Sequence, residues 1–189
     1  MPLRILTGII ALGSLTWAAS FDTPTFKKTV DLGPSRSSPG TRAKVTCYFF
    51  PHFMVKEVDM GEKGAQRLAI VPGKLKSHIC SRLRDPGEQA INPDEWSGYF
   101  KGVKGDLVFF EADDGWNGGM GFAVYDSKTM KKIFDDVAVG EIGFSDAGAP
   151  QTTLAYTRVA DGGCVIPKDQ AACWNKIRTQ LVLQDASAP

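Results

Sequence analysis

The chain has 189 residues, 22 Lys and Arg against 21 Asp and Glu, and 43% hydrophobic residues, the profile of one ordinary globular domain. A net charge of +1 excludes the clustered basic excess that a nucleic-acid backbone demands. Eleven Phe, four Tyr and four Trp exclude a solvated, disordered chain.

The first 20 residues read as a cleaved signal peptide. Arg4 supplies a short basic region, Ile5 to Trp17 a 13-residue apolar run, and Ala18, Ala19 and Ser20 the small residues of a cleavage site. A membrane span needs about 20 apolar residues, so no span is expected once this segment is removed. Losing Arg4 leaves a chain of near-neutral balance, exported to a periplasmic or extracellular space. In such an oxidising compartment the four cysteines, none of them in a C-x-x-C pair, read as disulfides. Each half of the chain holds one short-range pair, so the expected bridges are Cys47–Cys80 and Cys164–Cys173.

Residues 21–42 form a flexible lead-in on this reading, because DLGPSRSSPGTR is too rich in Gly, Pro and Ser for a regular ladder. A single β-rich domain follows over 43–184. Val45, Cys47 and Phe49 alternate with polar neighbours as a strand does, and Phe53 to Val58 and Arg67 to Val71 complete a three-stranded meander. Pro72 to Trp96 is a long connection that a Cys47–Cys80 bridge would pin. Leu107 to Phe110 is a continuous apolar run, DDGWNGGMG over 113–121 is a loop, and Phe122 to Tyr125 is the returning strand. Lys131 to Phe134, Glu141 to Phe144 and Thr153 to Val159 add shorter strands. Past Pro167, the residues Cys173, Trp174, Ile177 and Leu181 recur at helical spacing. The expected class is therefore α+β, mostly β: an antiparallel sheet with one C-terminal amphipathic helix packed on it.

Val124 to Phe134 (VYDSKTMKKIF) resembles the outer hairpin of a β-propeller blade, with Met130 where that pattern has Gly. A propeller needs several such copies, and the chain has one. It is assigned to no family.

Catalytic signatures are missing from the sequence. There is no G-x-S-x-G and no H-E-x-x-H, and His52 and His78 stand too far apart to suggest a ligand set. The best functional candidate is the 111–117 stretch, where Glu111, Asp113, Asp114 and Asn117 gather oxygen ligands beside Trp116. Calcium is one use of such a loop, although the EF-hand order is not present. A plain polar turn is another. Trp116 reads either as a recognition anchor on a Gly-rich loop or as core folded back on the hairpin. Lys74 to Arg84 collects basic residues around Cys80, as a surface for an acidic partner or as a solvated loop.

The expected function is a non-enzymatic exported binding module that recognises a protein or glycan partner through Asp113, Asp114, Trp116 and Asn117, with an inhibitor or immunity protein as one form. No cofactor, catalytic residue or resident metal is assigned, and calcium stays open at the acidic loop. The alternative is a small secreted hydrolase that pairs Glu111 with Asp113 or Asp114 for acid/base work.

Overall fold

The computed structural model describes residues 20–73, 80–116, 119–145, 152–159 and 176–183. Two antiparallel sheets make up the strands of the described residues. The first, in spatial order β1-β2-β3-β4-β5, contains Phe26–Pro34, Arg42–Phe49, Phe53–Asp59, Arg67–Pro72 and Gln89–Ala90. The second, in order β11-β10-β9-β8-β7-β6, contains Gly98–Lys104, Leu107–Trp116, Gly119–Asp126, Lys132–Ser145, Thr152–Val159 and Lys176–Leu183 as β6 to β11. Both sheets are meanders, each strand pairing antiparallel with the next in sequence.

Three apolar layers hold the sheets. Phe53, Val55, Leu68 and Ile70 of the first sheet pack against Val103, Val108, Phe110 and Tyr125 of the second. Alternate residues of the same strands face outward. Val45, Cys47, Met54, Val58 and Val71 form a second layer with Cys80, which the 80–88 segment brings over the outer face of the first sheet. Leu107, Phe109, Phe122, Val124, Phe144, Leu154 and Tyr156 form a third on the far side of the second sheet. The apolar run Leu107 to Phe110 is thus buried on both faces, which is why it does not alternate.

The second sheet curls strongly. Phe109 of β7 and Phe144 of β9 meet at 5.4 Å between ring centroids, and Phe122 of β8 meets Tyr156 of β10 at 5.1 Å. In a flat sheet, strands two apart lie about 9.5 Å from each other. Gly140 interrupts the regular ladder of β9. With φ of 76° it adopts a conformation that side-chain-bearing residues disfavour, and the β9–β10 register shifts beside it. Phe21 closes the concave face, with its ring 5.1 Å from Phe144 and 5.4 Å from Phe109. The Asp22 N–H fixes this segment by donating to the Val103 carbonyl at 2.7 Å.

Several expectations are corrected. Residues 26–34 form an edge strand, and the Gly/Pro/Ser stretch is its hairpin connection rather than a flexible lead-in. Gly33, at φ 96°, absorbs a bulge, Pro34 sits at the strand end where no ladder bond is needed, and the Ser35 N–H donates to the Thr41 carbonyl at 3.0 Å. The C-terminal segment 176–183 is a strand paired in register with β10, from Lys176↔Val159 to Leu183↔Thr152, not a helix. A spacing of four, as in Cys173, Ile177 and Leu181, is even and so satisfies a two-residue repeat as well as a helical one. The preceding residues 160–175, with Cys164, Cys173 and their expected bridge, lie outside the described residues, as does most of the signal segment. Among the described residues there is no α-helix, and none long and apolar enough to cross a membrane.

The Cys47–Cys80 bridge is present, with Cα atoms 5.9 Å apart. Closing a loop of this length stabilises the fold by about 4 kcal/mol in the chain-entropy picture. A buried ion pair reinforces it. Lys56, opposite Cys47 in the β2–β3 register, reaches Asp85 and donates to the Arg82 carbonyl at 2.8 Å, with both charged side chains fully enclosed. Arg67 pairs with Glu88, whose other oxygen accepts from the Asp85 N–H at 2.7 Å. The long connection is thereby fastened to the sheet at three points.

Candidate functional site at the hairpin end

The acidic stretch is strand with a bulge, not an open loop. Glu111 pairs with Phe122 and Gly115 with Met120, so Ala112, Asp113 and Asp114 stand opposite the single residue Gly121. Surplus residues of this kind kink a strand and redirect its side chains, and they recur beside binding sites. Here the kink aims Asp113 and Asp114 at the β3–β4 connection of the other sheet. Lys63 of that connection pairs with Asp114, and the Gly64 N–H donates to the Tyr99 hydroxyl at 2.8 Å. The Ala65 N–H donates to the Gly98 carbonyl, also at 2.8 Å. One end of the molecule therefore carries a composite surface built from both sheets.

Electrostatics tie this surface together loosely. The Lys63 ammonium holds the Asp114 carboxyl below its usual value, helped by the Gly115 N–H, and Asp114 in turn raises the Lys63 ammonium. Both side chains are well exposed, at 60% and 73%, so water and salt screen the pair. Glu111 is occupied separately, by Lys101 of β6. Two of the three carboxylates in the stretch are thus neutralised by lysines.

Of the residues singled out from sequence, Asp113 and Asp114 lie together in the bulge, and Trp116 ends β7 with its backbone paired to Gly119. Asn117 lies outside the described residues. So does the 74–79 part of the basic stretch. Among the described residues, no group of three or more His, Cys, Asp and Glu side chains is arranged to hold a metal ion.

Sequence reading missed Lys63 at this site, whereas Tyr99 and Lys101, in a Gly-rich 96–105 run that reads as an extension of the basic 74–84 surface, instead meet Gly64 and Glu111. Lys63 and Asp114 are 51 residues apart, and no local pattern links a Gly-Glu-Lys-Gly turn to an acidic hairpin. It also missed Glu57, buried between the sheets, whose Oε2 accepts from the Phe100 N–H at 2.8 Å. Burial pushes its carboxyl above the usual range against the pull of that bond. The neighbouring Tyr48 phenol is pushed up to about 12, first by burial and then by the Glu57 charge.

No protein-family model, curated protein or solved structure matches the chain.

Proposed function

We propose that the chain is an exported, non-catalytic binding module that engages a protein or glycan partner through the hairpin end. The convergence of the 61–66 connection and the β7 bulge on one surface, bridged by Lys63 and Asp114, carries this reading. Loops on a rigid sheet scaffold are the usual seat of recognition, and the disulfide is compatible with an oxidising exported setting. The hydrolase alternative is weakened because Glu111 and Asp114 each face a lysine, whereas an acid/base pair needs one carboxyl raised and both in reach of substrate. Calcium at the same oxygens would have to displace those lysines.

Site-specific photo-crosslinking tests the reading. A photoreactive residue at Asp114 should capture a discrete partner from the exported fraction, and Trp116→Ala should reduce capture without moving the melting curve. Equal capture from a photoreactive residue at Phe26, exposed at the other end of the edge strand β1, would refute it.

A further inference from the structure

A cleft of about 540 Å³ lies between the 89–95 segment and the turn that joins β8 to β9. Gln89, Asn92 and Glu95 line it from the first segment, Met130 and Lys131 from the turn, and Tyr125, near the end of β8, lines it as well. That volume falls in the range of small-molecule sites. Two observations single it out. The Tyr125 hydroxyl is buried, in a residue only 2% exposed, and has no hydrogen-bond partner, an arrangement that folded proteins avoid. Met130 on the rim is held at φ 61°, the sole non-glycine residue with positive φ among those described, and backbone strain concentrates at ligand sites.

The wall chemistry selects a ligand class. Lys132 is occupied by Asp135 at 2.7 Å, so Glu95 and Lys131 leave the cleft with one free acid and one free base. The two amides add donors and acceptors without charge; the Asn92 carbonyl oxygen already accepts from the Asp94 N–H at 3.1 Å, leaving its NH₂ group available. An anionic or cationic ligand calls for an excess of the opposite charge, which this cleft lacks. Interleaved donors and acceptors of zero net charge instead match vicinal hydroxyls, each of which both donates and accepts. Ile91 and Met130 offer an apolar patch to the C–H face of a sugar ring.

The geometry points to a binding site in this cleft for a small neutral saccharide, one of whose hydroxyls makes the hydrogen bond that Tyr125 lacks. The site does not rest on the hairpin reading. Val108, which pairs with Tyr125, is eight positions from Trp116 along β7, roughly 25 Å at the strand rise.

Fluorine NMR of the full chain labelled with 3-fluorotyrosine tests the inference, with the Tyr125 resonance assigned from Tyr125→Phe. Maltotriose, cellotriose and triacetylchitotriose are titrated separately to about 10 mM, a level that registers even millimolar binders. At least one should shift the Tyr125 resonance saturably. By isothermal titration calorimetry, Tyr125→Phe should weaken that sugar's affinity about tenfold while leaving the melting temperature equal or higher, because the buried hydroxyl is unsatisfied without ligand. Glu95→Gln, an exposed rim change that spares the core, should weaken it as well. Trp116→Ala should leave the Tyr125 response intact. A response to none of the three sugars overturns the inference, as does a response to citrate or glycylglycine in their place. Unchanged affinity in both Tyr125→Phe and Glu95→Gln overturns it too.

Discussion

Replacing Lys56 by Met should be among the most damaging single substitutions in the protein. Both members of the Lys56–Asp85 pair are shut off from water, and Lys56 also donates to the Arg82 carbonyl. Met keeps most of the volume of the side chain but removes its charge, so the Asp85 carboxylate is left buried with no cation. One of its oxygens already lacks a hydrogen-bond partner in the native fold. Breaking a buried pair from one side costs about 3–5 kcal/mol, against a total stability of about 5–15 kcal/mol for a domain. For a chain of this size that corresponds to a fall in melting temperature of about 6–20 °C. Urea and thermal unfolding under oxidising conditions measure it with the disulfide intact. The double variant Lys56→Met with Asp85→Leu should recover most of the loss, since an apolar replacement of both partners removes the stranded charge. The backbone bonds of Asp85 to Glu88 do not depend on its side chain and should survive. Wild-type stability in Lys56→Met, or a double variant no better than the single, would refute the reasoning.

Cys47→Ser with Cys80→Ser should cost about 4 kcal/mol by denaturant titration. Combined with Lys56→Met, the loss should fall short of the sum, because the bridge and the ion pair fasten the same segment to directly paired residues of β2 and β3. Full additivity would show that the two fastenings act independently. Glu57→Gln probes the carboxyl between the sheets. Burial raises the folded Glu57 above its ordinary value of 4.5, so the folded state binds its proton more tightly than the unfolded chain. The stabilisation this gives is complete at low pH and declines as pH rises from about 4.5 through the raised folded value. Gln keeps an oxygen for the Phe100 N–H and has no charge, so Glu57→Gln should match or exceed wild type at about pH 7 and lose this component of the decline. A variant less stable than wild type at neutral pH, with the slope unchanged, would contradict it.

Parts of this architecture with local causes were legible in the sequence. The β2–β4 meander followed from alternation and from the Gly61–Gly64 turn, and the buried β7 from its uninterrupted apolar run. Cys47–Cys80 followed from even cysteine number, separation and the oxidising compartment expected of a chain with a signal-like N-terminus. The missed strands share a feature: each hides its period. In β6, GYFKGVK carries a bulge between Phe100 and Gly102, which throws the alternation out of phase and leaves a Gly-rich stretch that looks like a loop. In β1 the glycine and proline that suggest flexibility sit where an edge strand tolerates them. In β11 the apolar spacing is even and satisfies both periods. The acidic residues of the hairpin end were found by composition alone, while the lysines that face them come from β6 and from the other sheet.

Strand β3 shows how such distant contacts become specific. Lys56 and Glu57 are adjacent, so they point to opposite faces, and both faces are buried. On the outer face the 80–88 segment supplies the carboxylate and carbonyl that meet the Lys56 ammonium. On the inner face the bulged start of β6 supplies the N–H that meets the Glu57 carboxyl. A one-residue slip of β3 would carry each charge to the opposite layer, where neither finds its partner, at several kcal/mol for each stranded ion. The neighbouring apolar residues penalise that slip far less, because Phe53, Met54, Val55 and Val58 suit either layer. The two charges, expensive to bury, thus fix the register that apolar patterning leaves degenerate in a strand covered on both sides. They also fix the placement of the β3–β4 connection that carries Lys63, and with it one half of the hairpin-end surface.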